Sequence, residues 1–169
     1  MHISDHFDAG NIEVIDVSDP SAVRLAIRKD SNADFFQWFH FRATGVGGVD
    51  CAFRFENAGE ASYTKGWEGY QAVASYDRED WFRVPTDYEG GVLTIRHKPE
   101  RDSVYYAYFE PYSGERGRDF LAHCLAAPQV RHTVLGQTVD GADLDLLTIG
   151  AAGDGKRVCW TIGRQHPGE

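Results

Sequence analysis

Between Ile12 and Glu110 the chain is written in short runs of alternating apolar and polar residues, broken by glycine and asparagine, and that grammar admits few folds. Cys51-Ala52-Phe53-Arg54-Phe55-Glu56 is the clearest run. Every second residue is apolar and the others are small or charged, which is the period of a strand with one face covered. Ile12–Val17, Val23–Arg28, Val92–Lys98 and Val104–Glu110 follow the same rule. Phe35–Phe41 carries aromatics on both faces (Phe35, Phe39 and Phe41 against Phe36 and Trp38), as an inner strand covered on both sides would. Turn signals separate the runs at Gly45 with Gly47-Gly48, at Asn57 with Gly59, and at Gly90-Gly91. Short strands at this spacing predict an antiparallel β-sandwich rather than βαβ units.

At residue 113 the pattern changes. Ser113 is placed to cap a helix whose apolar residues Phe120, Leu121, Cys124 and Leu125 recur at helical spacing, and Pro128 ends it. Three strands are then expected: Val130–Val139, Leu144–Ile149 and Val158–Ile162, the first two joined by a hairpin at Asp140-Gly141. The third is apolar nearly throughout, as a strand buried on both faces is. The chain therefore reads as mostly β. A domain boundary is expected near residue 112, with 1–112 an N-terminal antiparallel β-sandwich and 113–169 the beginning of a second domain.

Composition narrows the setting. Of 169 residues 42% are hydrophobic and 25% charged, ample for a buried core. The formal net charge is −9, from 17 basic against 26 acidic residues, and no basic cluster gathers to neutralise phosphates, so nucleic acid is not an expected partner. Asp5, Asp8, Glu13, Asp16 and Asp19 all precede Arg24, the first Lys or Arg, and read as a solvated acidic edge. Cys51, Cys124 and Cys159 are odd in number and far apart, which fits buried, reduced thiols. The N-terminus lacks the basic and apolar regions of a secretory signal, and no apolar run approaches the ~20 residues of a membrane helix. A cytoplasmic location is expected, with no membrane partner.

The final segment, Gly163-Arg164-Gln165-His166-Pro167-Gly168-Glu169, carries the strongest chemical signal. A strand of buried type runs into a loop where His and Glu flank a Pro-Gly turn. Pro fixes φ and Gly permits a sharp reversal, so an imidazole and a carboxylate can converge on one point. Zinc takes both groups as ligands, typically three protein ligands and a water in a catalytic site.

Arg164-Gln165-His166-Pro167-Gly168-Glu169 resembles the first zinc motif of the carboxypeptidase A superfamily, in its cytosolic carboxypeptidase-like branch. Gly66–Tyr70 (GWEGY), Ala74–Arg78 (ASYDR), Trp81–Thr86 (WFRVPT), Phe35–Arg42, Ala107–Ser113 (AYFEPYS) and Leu144–Gly150 (LDLLTIG) resemble the same branch, in the expected order over most of residues 30–169. Two departures are visible: Gly117 where a His is expected near the helix start, and Gly163 where a small Ala is more usual. Neither falls on a ligand position. The resemblance implies that 1–112 is an accessory β-domain. It implies that 113–169 is the truncated start of an α/β mixed-sheet zinc carboxypeptidase domain. His166 and Glu169 would be the first two ligands of Zn2+. The third ligand (a His), the groups that hold the substrate's C-terminal carboxylate and the Glu that activates water would all come from downstream. The reading frame is accordingly expected to continue past Glu169, and the fragment to be inactive alone.

Other features carry less. His2, His6, His40, His97, His123 and His132 match no ligand position of the family and read as surface or structural residues. Gly150-Ala-Ala-Gly-Asp-Gly155-Lys156 fits G-x-x-x-x-G-K, but Arg157 stands where Ser or Thr would hold Mg2+, and a strand rather than a helix is expected next, so it reads as a hairpin loop. Trp67, Tyr70, Tyr76, Trp81, Tyr105, Tyr106 and Tyr108 fit a small core or a domain interface better than a sugar- or peptide-binding face. Three functions follow. The first is a zinc carboxypeptidase acting on the C-termini of peptides or proteins, with the rest of its own catalytic domain as partner. The second is a related zinc amidohydrolase of N-acyl amino acids. The third is a β-sandwich binding module without chemistry.

Overall fold

Within residues 1–163, which the computed structural model describes, the alternating runs pair into two five-stranded sheets and one separate hairpin. In chain order the strands are β1 (His2–Ser4), β2 (Glu13–Asp16), β3 (Val23–Ala26), β4 (His40–Thr44), β5 (Cys51–Phe55) and β6 (Val73–Ser75). They continue as β7 (Phe82–Arg83), β8 (Thr86–Glu89), β9 (Val92–His97), β10 (Ser103–Ala107), β11 (Val130–Gln137) and β12 (Asp143–Ile149), with the helix α1 (Gly114–Leu125) between β10 and β11. The chain divides into two compact units, the first Met1–Pro111 and the second from Tyr112 onward.

The first unit is a sandwich. One sheet runs β1-β4-β10-β6-β7 and the other β2-β3-β5-β9-β8. Alternation sends Phe41 and Ala43 of β4, Phe53 and Phe55 of β5, Leu93 and Ile95 of β9, and Val104 and Tyr106 of β10 into a common core, where all are fully buried. Rings from the two sheets meet directly: Phe39 and Phe55 at 4.5 Å between centroids, Tyr106 and Phe53 at 4.8 Å, Phe41 and Phe53 at 5.4 Å. Burial of such rings is the main term holding the layers together, about 25 cal/mol per Å² of apolar surface removed from water. Their polar handles are satisfied. The Trp67 indole N–H donates to the Ala58 carbonyl at 2.9 Å, and the Tyr106 hydroxyl meets His97 Nδ1 at 2.9 Å.

The second sheet is mixed rather than purely antiparallel. β3 and β5 pair in parallel, Val23 opposite Phe53 and Leu25 opposite Phe55. The cause is topological: β4, which intervenes in sequence, belongs to the other sheet, so the chain crosses the sandwich and returns in the same direction.

Phe35–Phe41 is a strand only from His40 onward. Ahead of it the backbone is held by side chains. The Gln37 amide accepts from Tyr63 N at 2.9 Å and donates to Tyr63 O at 3.3 Å, and Asn57 grips Ile27 N and O in the same way at 2.9 and 2.8 Å. Gly90 and Gly91, both left-handed (φ 60° and 85°), turn β8 into β9, with Glu89 opposite Val92. This is the two-residue turn whose twist suits a hairpin. Gly59 is required for a different reason: a Cβ there would lie 2.8 Å from Gly91 Cα.

In the second unit Ser113 caps α1, its Oγ accepting from Arg116 N at 3.2 Å, and the helix ends before Pro128. β11 and β12 form an antiparallel hairpin with a bulge between Val134 and Gly136, and Gly141 (φ 80°) lies in its turn. None of the described residues from Tyr112 on is buried. The expected third strand, Val158–Ile162, is not formed: Val158, Trp160 and Ile162 are 81%, 68% and 71% exposed. A strand exists by pairing, and this run has no ladder partner among the described residues.

Candidate functional site

The metal pair expected at His166 and Glu169 lies outside the described residues. Among the described residues no group of three His, Cys, Asp or Glu side chains converges to hold a metal ion. The donor set of the motif, an imidazole and a carboxylate, is one that zinc accepts.

The described part leads toward the motif through β12 and the turn that follows. Lys156 N donates to Gly153 O at 3.2 Å, Gly155 is left-handed (φ 76°), and the Lys156 ammonium folds back onto the Ala151 carbonyl at 3.0 Å. No helix follows. The G-x-x-x-x-G-K segment is thus a turn closed on its own lysine, without the helix N-terminus that a phosphate site uses. It does not complete a hairpin, because the strand expected after it is absent. On the hairpin itself His132 Nε2 and Asp145 Oδ1 lie 2.6 Å apart, both half-buried.

The first unit gathers a polar cluster that the sequence did not disclose. On β4, Phe41 and Ala43 face the core, so His40 and Arg42 face outward from the first sheet. His40 is nevertheless only 1% exposed. Four rings enclose it: Phe7 at 4.8 Å, Trp81 at 5.9 Å, Trp38 at 6.0 Å and Tyr105 at 6.2 Å between centroids. Two segments supply the cover. The first runs from β1 to Asn11; its turn is closed by Phe7 N to Asp5 O at 2.8 Å and Gly10 N to Phe7 O at 2.9 Å. Its tightness demands glycine, since a Cβ on Gly10 would lie 1.9 Å from the Asp5 carbonyl oxygen. The second segment follows β6. Asp77 Oδ1 accepts from Glu79 N and Asp80 N at 2.9 Å each, and Ser75 Oγ accepts from Arg78 N at 2.8 Å. That holds the Arg78 guanidinium over Phe7 and Tyr105, at 5.8 and 5.5 Å from the ring centroids.

Inside this box both ring nitrogens of His40 are buried with no hydrogen-bond partner of normal geometry. The Ala9 carbonyl is near enough to favour a protonated ring, but it already accepts the Trp38 indole N–H at 2.8 Å. Burial, and then the neighbouring Arg78 charge, push the His40 pKa down to about 4, so the ring is neutral at pH 7. Arg42 Nε is likewise buried without a partner. Each such group costs about 1–3 kcal/mol of desolvation that no hydrogen bond returns.

Elsewhere the aromatics serve structure, and of the three cysteines expected to be buried only Cys51 is, Cys124 being half-buried and Cys159 exposed. Cys51 stands opposite His97 across β5 and β9, but burial, and then Asp50, raise its pKa, which leaves the thiol protonated and poorly nucleophilic. A shallow cleft of about 370 Å³ lies beside it, between Ser21, Asp50, Arg96 and Lys98, with Lys98 paired to Asp50 at 3.1 Å. Trp67, Tyr70 and Tyr108 pack together at 5.1–5.5 Å between centroids, Tyr106 is in the core, and Trp81 and Tyr105 close over His40. The aromatics therefore divide between the core and this second cluster. His40 and Arg42 alternate with core residues on one strand, which is the only trace of the cluster that the sequence carries.

Similarity to known proteins bears on the whole chain. Residues 3–109 match the model of the cytosolic carboxypeptidase N-terminal domain. The crystal structure of a metallo-carboxypeptidase from Burkholderia cenocepacia superposes with a TM-score of 0.86 at 51% identity, over 91% of this chain and 41% of that one. A metallo-carboxypeptidase from Pseudomonas aeruginosa, in complex with (2-guanidinoethylmercapto)succinic acid, gives a TM-score of 0.86 at 45% identity, over 91% and 41%. An uncharacterized protein of Zymomonas mobilis is 43% identical over all of this chain and 43% of its own length. The chain thus spans about two-fifths of these relatives. With its two-sheet sandwich and the match over 3–109, the chain belongs to the family of cytosolic carboxypeptidase N-terminal domains.

Proposed function

We propose that the chain is the N-terminal part of a zinc-dependent metallocarboxypeptidase that removes C-terminal residues from peptides or protein tails in the cytosol. Residues 1–112 would be its accessory domain and 113–169 the start of its catalytic domain. The observation that carries this reading is the 51% identity to a metallo-carboxypeptidase more than twice as long, over a stretch that includes the strands leading to the His-Pro-Gly-Glu motif. His166 would give a neutral imidazole nitrogen and Glu169 a carboxylate oxygen to the metal. When bound, zinc supplies Lewis-acid polarisation of the scissile carbonyl and an activated water. Two protein ligands leave a catalytic site one short. By the resemblance, the groups that orient the water and take its proton come from downstream, so the 169-residue chain would be inactive by itself.

The test uses the full-length protein and the 169-residue chain side by side. Full-length His166→Ala and Glu169→Ala variants are expected to lose both stoichiometric zinc and release of C-terminal residues from a peptide panel, with the β-domain still folded by circular dichroism. The short chain is expected to yield zinc readily to a chromogenic chelator. Undiminished hydrolysis by full-length His166→Ala would overturn the assignment, as would tight zinc retention by the short chain.

A further inference from the structure

The cover over His40 combines two features that coincide nowhere else among the described residues. The buried side-chain nitrogens without a partner are three: both of His40 and Nε of Arg42. They sit two positions apart on one face of β4. Three non-glycine residues have left-handed backbone, and two of them, Ala9 (φ 62°) and Arg78 (φ 69°), lie in the two covering segments. Backbone strain of this kind persists where the surroundings over-determine it, and it concentrates at ligand clamps. Unsatisfied buried nitrogens call for an acceptor or donor that the fold itself does not provide.

The chemistry of the nitrogens narrows what that group is. Arg42 Nε–H is a donor only, and a neutral imidazole contributes one N–H. A metal cation is disfavoured beside the guanidinium. An apolar guest would leave the donors as they are. Asp8 and Arg78 both act on the imidazole, and the Arg42 guanidinium belongs to the same strand face. A planar carboxylate matches the guanidinium fork in shape and is held by charge-assisted hydrogen bonds.

We propose that His40 and Arg42 are the donors of a binding site for a small monocarboxylate on the outer face of the first sheet, with Phe7–Gly10 and Arg78–Trp81 as its cover. The carboxylate oxygens accept from Arg42 Nε–H and from the His40 ring, and the rings of Trp38, Trp81 and Phe7 exclude water around them. Entry displaces the two covering segments, whose strained Ala9 and Arg78 relax in the open form.

The experiment is a titration of the 169-residue chain with formate at pH 7, read by nitrogen-15 NMR of the histidine rings and the tryptophan indoles. The indoles are direct reporters, because Trp38 donates to Ala9 O and Trp81 to Arg78 O, both in the cover. Formate is expected to shift the His40 ring nitrogens and both indole signals along one saturating curve. Arg42→Gln is expected to weaken the apparent affinity at least about tenfold, the range of one charge-assisted hydrogen bond. If Arg42→Gln does not fold, Arg42→Lys keeps the charge, loses the planar fork, and is expected to weaken formate in the same direction. Three results would each overturn the proposal: a linear drift shared by formate and chloride, formate binding to a folded Arg42 variant as tight as to the parent, or inorganic phosphate saturating the site at lower concentration than formate.

Discussion

His40 connects a strand's alternation to the pH response of the whole first unit. Its neutral form is the only one the aromatic box tolerates, so a proton is refused that the unfolded chain accepts. Between its ordinary pKa of 6.5 and the folded value of about 4, the unfolded state binds more protons than the folded one. Stability is therefore complete above that window and falls as the pH falls through it, by at most about 3 kcal/mol. His97, also lowered by burial, acts in the same direction. Urea midpoints measured from pH 7 to pH 4 are expected to drop for the parent and to drop less for His40→Phe. An equal slope in both would show that another group carries the effect. Glycine sets a second residue-scale constraint. Gly59→Ala forces a Cβ against Gly91 Cα at 2.8 Å, where both neighbours are backbone. A loss of about 1–3 kcal/mol in chemical denaturation is expected, as for other overpacked contacts. A neutral result would mean that the Gly90-Gly91 turn yields freely.

At the scale of elements, β2, β3, β5, β9 and β10 are legible in the sequence, whereas the four-residue β8 is not and β4 starts later than the Phe35–Phe41 run suggests. β5, β9 and β10 are where alternation puts them, because period two is enforced by a core on one side. β1, β6 and β7, two or three residues each, carry too few positions for any period to show. The parallel β3–β5 pairing was hidden for another reason: orientation is decided by where β4 goes, and no local pattern records that. His40 reads from the sequence as a surface or structural residue, because a histidine alternating with core residues looks solvent-facing until loops distant in sequence close over it. The Ser113 cap and the Asp140-Gly141 turn were readable, since both are local backbone chemistry. Val158–Ile162 has the composition of a buried strand, but composition states only a need for cover. That need has a measurable consequence. Val134, Leu135, Leu144 and Ile149 are also exposed, so the β11–β12 hairpin offers apolar surface and two open edges. Hydrogen exchange on the 169-residue chain is expected to show strong protection in β4, β5, β9 and β10 and weak protection in β11 and β12. Association should increase with concentration. Uniform protection through Ile149 in a dilute monomer would contradict this.

Considered whole, the molecule has its two units at different levels of completion. The first has its own core of buried aromatics; the second has a helix, a hairpin and, among the described residues, none that is buried. The order of strands in the first sheet adds a consequence for how the protein is made. β10 stands between β4 and β6, so the centre of that sheet is the last of its strands to be synthesised. On the ribosome, β1 and β4 can pair early, yet Phe41 waits for Tyr106 and Ala43 for Val104. The 58 residues between Thr44 and Ser103 take about 3–12 s to translate at about 5–20 residues per second. For that interval the edge of β4 that β10 will occupy stands unpaired in the nascent chain, an open strand of the kind chaperones shield.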